Sequence, residues 1–228
     1  MANMTVTRHP PIRDQVASIL RAAIVNLDFP PGQLLVEREL CELTGASRPS
    51  VREALRHLEA EGLVESRNGR GTMVRILGVD EVIYLYEVRA ELEGLAAELF
   101  TRRAGDSEHE RLQAALNELA VATSSGLSVG ILRAQHAFYA ALFEGAGNPL
   151  LDQMAQGLQV RLAQLRALTL TVPGRAEESL NEFQQIGAAV ASRDADMARR
   201  ATAGHVRRAG EVMGAVARDR DEMPGAAL

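Results

Sequence analysis

Apolar residues recur at helical spacing in three short runs over the first sixty positions. Ile12, Val16, Ile19, Leu20 and Ala23 stand three or four apart, which predicts a helix from Pro11 to Asn26. Phe29-Pro30-Pro31-Gly32 ends it, because proline cannot continue a helix and glycine turns the chain. Gln33-Leu34-Leu35 is too short to stand alone and reads as a small pairing strand. A second helix runs from Glu37 to Leu43, with Gly45 as its left-handed cap. Ser47 is a good N-cap for a third, which tolerates Pro49 in its first turn and carries the stripe Val51, Ala54, Leu55 and Leu58 before ending near Glu61-Gly62. The periodicity then switches to alternation: Leu63 to Ser66 and Thr72 to Ile76 read as strands joined at the tight-turn dipeptide Asn68-Gly69.

A short helix, a tight turn, a second helix and a hairpin form the winged helix-turn-helix arrangement. Beyond residue 76 the pattern is helical throughout. Six helices are predicted, near 79–103, 106–123, 127–145, 148–170, 175–192 and 194–219. Gly105, Gly126, Gly147-Asn148-Pro149 and Pro173-Gly174 separate them, and Asp106 and Ser107 are candidate caps for the second. No strand pattern, internal repeat or low-complexity tract interrupts this half. The expected fold is mainly α: a winged helix-turn-helix with a small β-hairpin wing over residues 1–76, and an antiparallel all-α bundle of about six helices over 77–228, frayed after Asp219.

Composition supports helices, with much Ala and Leu and no Trp. All 25 basic residues are Arg, which we read as the codon bias of a GC-rich genome; any phosphate or base contact must therefore use a guanidinium. The net charge of −5 is unevenly spread. Ten Arg oppose nine acids in residues 1–76, and fifteen oppose twenty-one in residues 77–228. A near-neutral front half binds DNA only if its Arg residues converge. Cys41, the single cysteine, permits no intrachain disulfide and reads as a buried thiol. No signal-peptide core or long apolar run is present, so a cytoplasmic, membrane-free protein is expected.

The charges do converge. Arg48, Arg52 and Arg56 recur every fourth residue and share one face of the third helix. Ser47 and Ser50 add hydroxyls at its N-terminus, where free backbone N–H groups attract phosphate. Such a helix enters the major groove of duplex DNA N-terminus first, and Asn68, Gly69 and Arg70 at the wing tip reach the minor groove. The plainer alternative is a solvated face paired with Glu53 and Glu59. RNA is not favoured, because no aromatic stacking platform accompanies the Arg residues.

In the helical half, four polar residues lie on apolar stripes: Arg89, Gln135, Tyr139 and His205. Buried polar groups need partners, so these satisfy one another or meet a ligand. An inward Arg89 needs an anion, supplied either by Glu93 one turn away or by a bound carboxylate. No GxSxG, P-loop, HExxH or cysteine nucleophile is present, and no enzyme activity is expected.

The segments Phe29-Pro30-Pro31-Gly32, Val36 to Leu40, Gly45 to Val64 and Gly69-Arg70-Gly71 closely resemble the DNA-binding domain of the GntR family of bacterial regulators. The resemblance implies operator contacts at Arg38, Ser47, Arg48, Ser50, Arg52 and the Asn68-Gly69 pair. The remainder resembles the FadR branch, through Tyr84 to Glu93, Phe138 to Leu150, and Glu182 to Asp194 followed by His205. That implies a helical effector domain, a homodimer, and repression controlled by a small molecule such as an organic acid or acyl compound. A degenerate, ligand-independent effector domain is the alternative.

One departure matters. Many relatives in this branch hold a divalent metal through an Asp, a His four residues on, and two further His. Gln135, Tyr139 and Phe183 stand at the first three positions, and His205 alone is kept. Gln and Tyr are poor ligands for zinc-like ions and Phe is none. His136 points about 100° away on its helix. No family-type metal and no cofactor are expected; Arg89 then anchors the effector, and Phe183 makes the cavity greasier and suited to a larger ligand.

Overall fold

The computed structural model describes residues 10–67 and 71–222. The chain divides into two compact units, Met1–Ile76 and Leu77–Leu228.

In the first unit, α1 (Ile12–Val25) packs on α3 (Arg48–Ala60), with the shorter α2 (Glu37–Thr44) lying between them in the sequence. Val16, Leu20 and Ile24 of α1 and Val51, Ala54, Leu55 and Leu58 of α3 are buried. Arg21 Nε donates to Glu61 Oε2 at 2.9 Å and ties the two helices at the rim. Gly45 closes α2 at φ 66°, a left-handed conformation that a side chain resists. Ser47 then caps α3 by accepting from the Ser50 N–H. Cys41 is half-buried rather than buried, because Leu40 alone of α2 is buried.

β1 (Leu34–Leu35), β2 (Val64–Arg67) and β3 (Gly71–Val74) form one antiparallel sheet in the order β1-β3-β2. Val64 pairs with Val74, and Leu34 pairs with Met73. The predicted hairpin is present, and the predicted small strand pairs with its return arm. The wing tip, Asn68, Gly69 and Arg70, lies outside the described residues.

The second unit contains six helices among its described residues: α4 (Val79–Arg103), α5 (Asp106–Ser125), α6 (Ser128–Gly145), α7 (Pro149–Thr169), α8 (Arg175–Ala191) and α9 (Ala195–Glu222). α9 runs on past Asp219, where fraying was expected. The N-cap of α5 is Gly105, not Asp106 or Ser107; the Glu108 carboxylate accepts the Gly105 N–H at 3.1 Å and does the capping. α4 packs along α9, α5 against α6 and α8, and α8 against α9. Phe100, Leu119, Phe138, Leu142, Phe183 and Ile186 fill the centre.

Close approach of α4 and α6 depends on Gly145, where a Cβ would fall 2.4 Å from the fully buried Phe100 ring. Gly204 on α9 meets nothing within 4 Å. Opposite effects of one methyl group follow. Gly145→Ala lowers unfolding free energy by about 1–3 kcal/mol through overpacking. Gly204→Ala raises it by about 0.5–1 kcal/mol by restricting the unfolded chain. Urea titrations of both variants check the pair.

Candidate functional site

The exposed face of α3 starts at its cap. Ser47 and Arg48 are exposed and Ser50 is partly so; the Ser47 and Ser50 hydroxyls lie 3.0 Å apart. Arg38, Arg48, Arg52 and Arg56 are all exposed. Arg52 does not stand free: its Nε donates to both oxygens of Glu37, at 2.8 and 2.9 Å. The Arg52 guanidinium holds the Glu37 carboxyl below the usual carboxylate range. With Nε engaged, both Nη groups of Arg52 remain available for a bidentate acceptor. Arg38 and Arg48 have no carboxylate within 4 Å among the described residues. Glu37 orients one arginine of this face, while Glu53 and Glu59 of α3 are engaged by Arg13 and by the Ser66 N–H.

In the helical unit, all five residues singled out from sequence line one cavity. Arg89 of α4, Gln135 and Tyr139 of α6, Phe183 of α8 and His205 of α9 converge there. The sequence reading missed Tyr86, Arg166, Thr169, Arg175 and Ser179, which line it too. The cavity has about 330 Å³ of space between atoms. Its open centre admits little more than a water molecule. The expectation of a large, greasy pocket is therefore corrected. Phe183 fills space instead of opening it, packing its ring 4.9 Å from Phe138 and 4.5 Å from His205, centre to centre.

Two ion clusters support the walls. Arg89 Nε donates to Glu93 Oε1 at 2.6 Å, and Arg166 Nη2 donates to the same oxygen at 3.3 Å. Arg89 Nη2 reaches the Tyr139 hydroxyl at 3.3 Å, and the Arg166 guanidinium lies 4.6 Å from the Tyr139 ring centre. Burial pushes the Glu93 carboxyl up, but Arg89 and Arg166 together hold it below its usual range. On the other side, Arg175 donates through Nη1 and Nη2 to Glu182, at 3.1 and 2.7 Å. Glu182 also accepts from His205 Nδ1 at 2.6 Å. Burial pulls His205 down more strongly than Glu182 raises it, so the imidazole is neutral and donates Nδ1–H.

Three guanidiniums and two carboxylates meet around the cavity. Arg89, Arg166 and Arg175 are buried beside Glu93 and Glu182, and burial together with the Arg89 charge pulls the Arg166 guanidinium below its usual range. Neither carboxylate lines the cavity. Glu178 lies 3.7 Å from Arg175 but is 67% exposed, so solvent screens it. Among the described residues, the cavity wall presents three guanidiniums, hydroxyls, the Gln135 amide, the His205 imidazole and the Phe183 ring, and no carboxylate.

These residues do not suit a divalent metal. His205 is the single imidazole in the cavity wall, Phe183 offers no donor, and burial pushes the Tyr139 phenol far above its usual range, away from phenolate. Among the described residues, no group of three or more His, Cys, Asp or Glu side chains is placed to hold one.

Comparison with known proteins fits this geometry. The family described as bacterial regulatory proteins, gntR family, matches residues 12–74, and the FCD domain matches residues 84–208. The chain belongs to the GntR family. Its FCD domain contains every residue of the cavity except His205-flanking Ala209. The GntR-family chain is 28% identical over 206 residues to YdhC, an HTH-type transcriptional regulator of Bacillus subtilis, covering 90% of this chain and 92% of that one. Among solved structures, Escherichia coli McbR/YncC superposes at a TM-score of 0.76 with 23% identity, covering 90% of this chain and 98% of that one. A GntR regulator from Rhodococcus superposes at 0.67, with 23% identity and coverage of 95% and 99%. The matched proteins are transcription regulators, not enzymes. No helix among the described residues is long and apolar enough to cross a membrane.

The buried ionisations set a pH dependence. The folded His205 resists protonation, whereas the unfolded imidazole takes up a proton near pH 6.5. Stability therefore falls as pH drops below about 6.5. Glu93 and Glu182, both depressed in the fold, add losses in the same direction at lower pH. Thermal unfolding at pH 7.5 and 5.5 should show a lower Tm at pH 5.5. His205→Asn, which keeps a donor toward Glu182, should shrink that difference.

Proposed function

We propose that this GntR-family regulator is a homodimeric, cytoplasmic repressor of the FadR branch that releases operator DNA when a short, polar organic anion enters its helical domain. On this reading Arg38, Ser47, Arg48, Ser50 and Arg52, with Asn68, Gly69 and Arg70 of the wing, contact duplex DNA. Two copies set their recognition helices about one DNA turn apart. Arg89, Gln135, Tyr139, Phe183 and His205, joined by Arg166 and Arg175, surround the effector. The carrying observation is the set of three buried guanidiniums around one cavity whose wall includes no carboxylate. A wall that offers guanidinium donors and no carboxylate favours an anion. Small space and polar walls favour a short acid over a long acyl chain. The effector shifts the population between two arrangements of the dimer by binding them unequally.

The test uses a duplex selected by the protein from a random library, with binding followed by fluorescence anisotropy. Arg48→Ala and Arg52→Ala should each weaken binding by about 10- to 100-fold. For each lost phosphate contact the log–log salt slope should become shallower by about 0.9. Unchanged affinity in both variants sinks the DNA assignment. Short carboxylates added to the wild-type complex should release the duplex; failure of every acid leaves a ligand-independent regulator in place of a sensor.

A further inference from the structure

We propose that Tyr86 is a ligand-contacting residue of this cavity, its hydroxyl donating to the anion that the guanidiniums attract. This deepens the effector reading above and rests on it. Tyr86 lies on α4 one turn before Arg89, and it is 3% exposed. Its hydroxyl is buried and has no hydrogen-bond partner among the described residues. Two other hydroxyls of the cavity differ: the Tyr139 oxygen receives Arg89, and Thr169 Oγ1 donates to the Arg166 carbonyl at 2.7 Å.

A buried donor left unpaired lowers stability, and phenylalanine would fill the same space without that loss. The tyrosine therefore needs a reason outside the folding of the free protein. Its surroundings supply one. The Arg89 guanidinium carbon lies 5.2 Å from the Tyr86 ring centre, so an anion held by Arg89 falls within reach of the same wall. The ring is fixed: at Gly210 of α9 a Cβ would fall 2.8 Å from the Tyr86 Cβ, so α9 backbone presses directly on the tyrosine. The hydroxyl thus keeps one heading. Burial pushes its ionisation up, so it stays a neutral donor.

The experiment compares wild type with Tyr86→Phe, using the full chain without DNA. Thermal unfolding gives stability, and calorimetry gives affinity for formate, acetate, propionate, butyrate, succinate and inorganic phosphate. Tyr86→Phe should leave the Tm of the free protein unchanged or raised, while weakening the tightest-binding anion about tenfold. Tyr139→Phe is the contrast: its hydroxyl is engaged by Arg89, so its loss should lower the Tm of the free protein. Wild-type affinity in Tyr86→Phe overturns the assignment, as does a drop in Tm with affinity kept. If wild type binds none of the six anions, the effector reading itself fails and the role of Tyr86 with it.

Discussion

A guanidinium cannot be deprotonated inside a protein and cannot be left unanswered there. Among its described residues, the helical unit buries three. Much of its interior is arranged around that demand: Glu93 one turn along α4, Tyr139 across on α6, Glu182 and His205 joining α8 to α9. Arg89–Glu93 stays within α4 and Arg175–Glu182 within α8, while Arg89–Tyr139, Arg166–Glu93 and His205–Glu182 join α4 to α6, α7 to α4 and α9 to α8. Apolar packing holds the bundle together, while the charges define which side chains face the cavity.

The organisation of the chain was legible because its signals are local. Gly45 as a cap, Ser47 opening α3, and the switch from helical to alternating periodicity after Gly62 each depend on a few adjacent residues. The six helices of the second unit followed from spacing and punctuation in the same way. Errors fell where a tertiary neighbour or a competing side chain decides. Glu108 took the capping role that Asp106 and Ser107 were expected to play, because its longer side chain reaches back to the Gly105 N–H.

Half of the cavity was legible for a related reason. Arg89, Gln135, Tyr139 and His205 interrupt apolar stripes, and an interruption is visible along one helix. Tyr86 interrupts nothing: it continues the apolar face of α4 and reads as core. Arg175 sits at the start of α8, where charge normally meets solvent, and nothing in the sequence marks it as buried. Arg166 does stand among leucines of α7, and that signal was available. Phe183 was found by its place in a family pattern, yet its effect was misjudged, since the size of a cavity depends on what the surrounding helices leave over.

The choice of guanidinium for the cavity wall has a regulatory consequence. An ammonium there could be silenced by acetylation or lose its proton on burial. Arginine resists both, and the chain contains no lysine anywhere. Neither acetyl transfer to side chains nor any physiological swing in acidity can erase the positive wall. A cavity built from arginine is thereby insulated from the cell's acylation state.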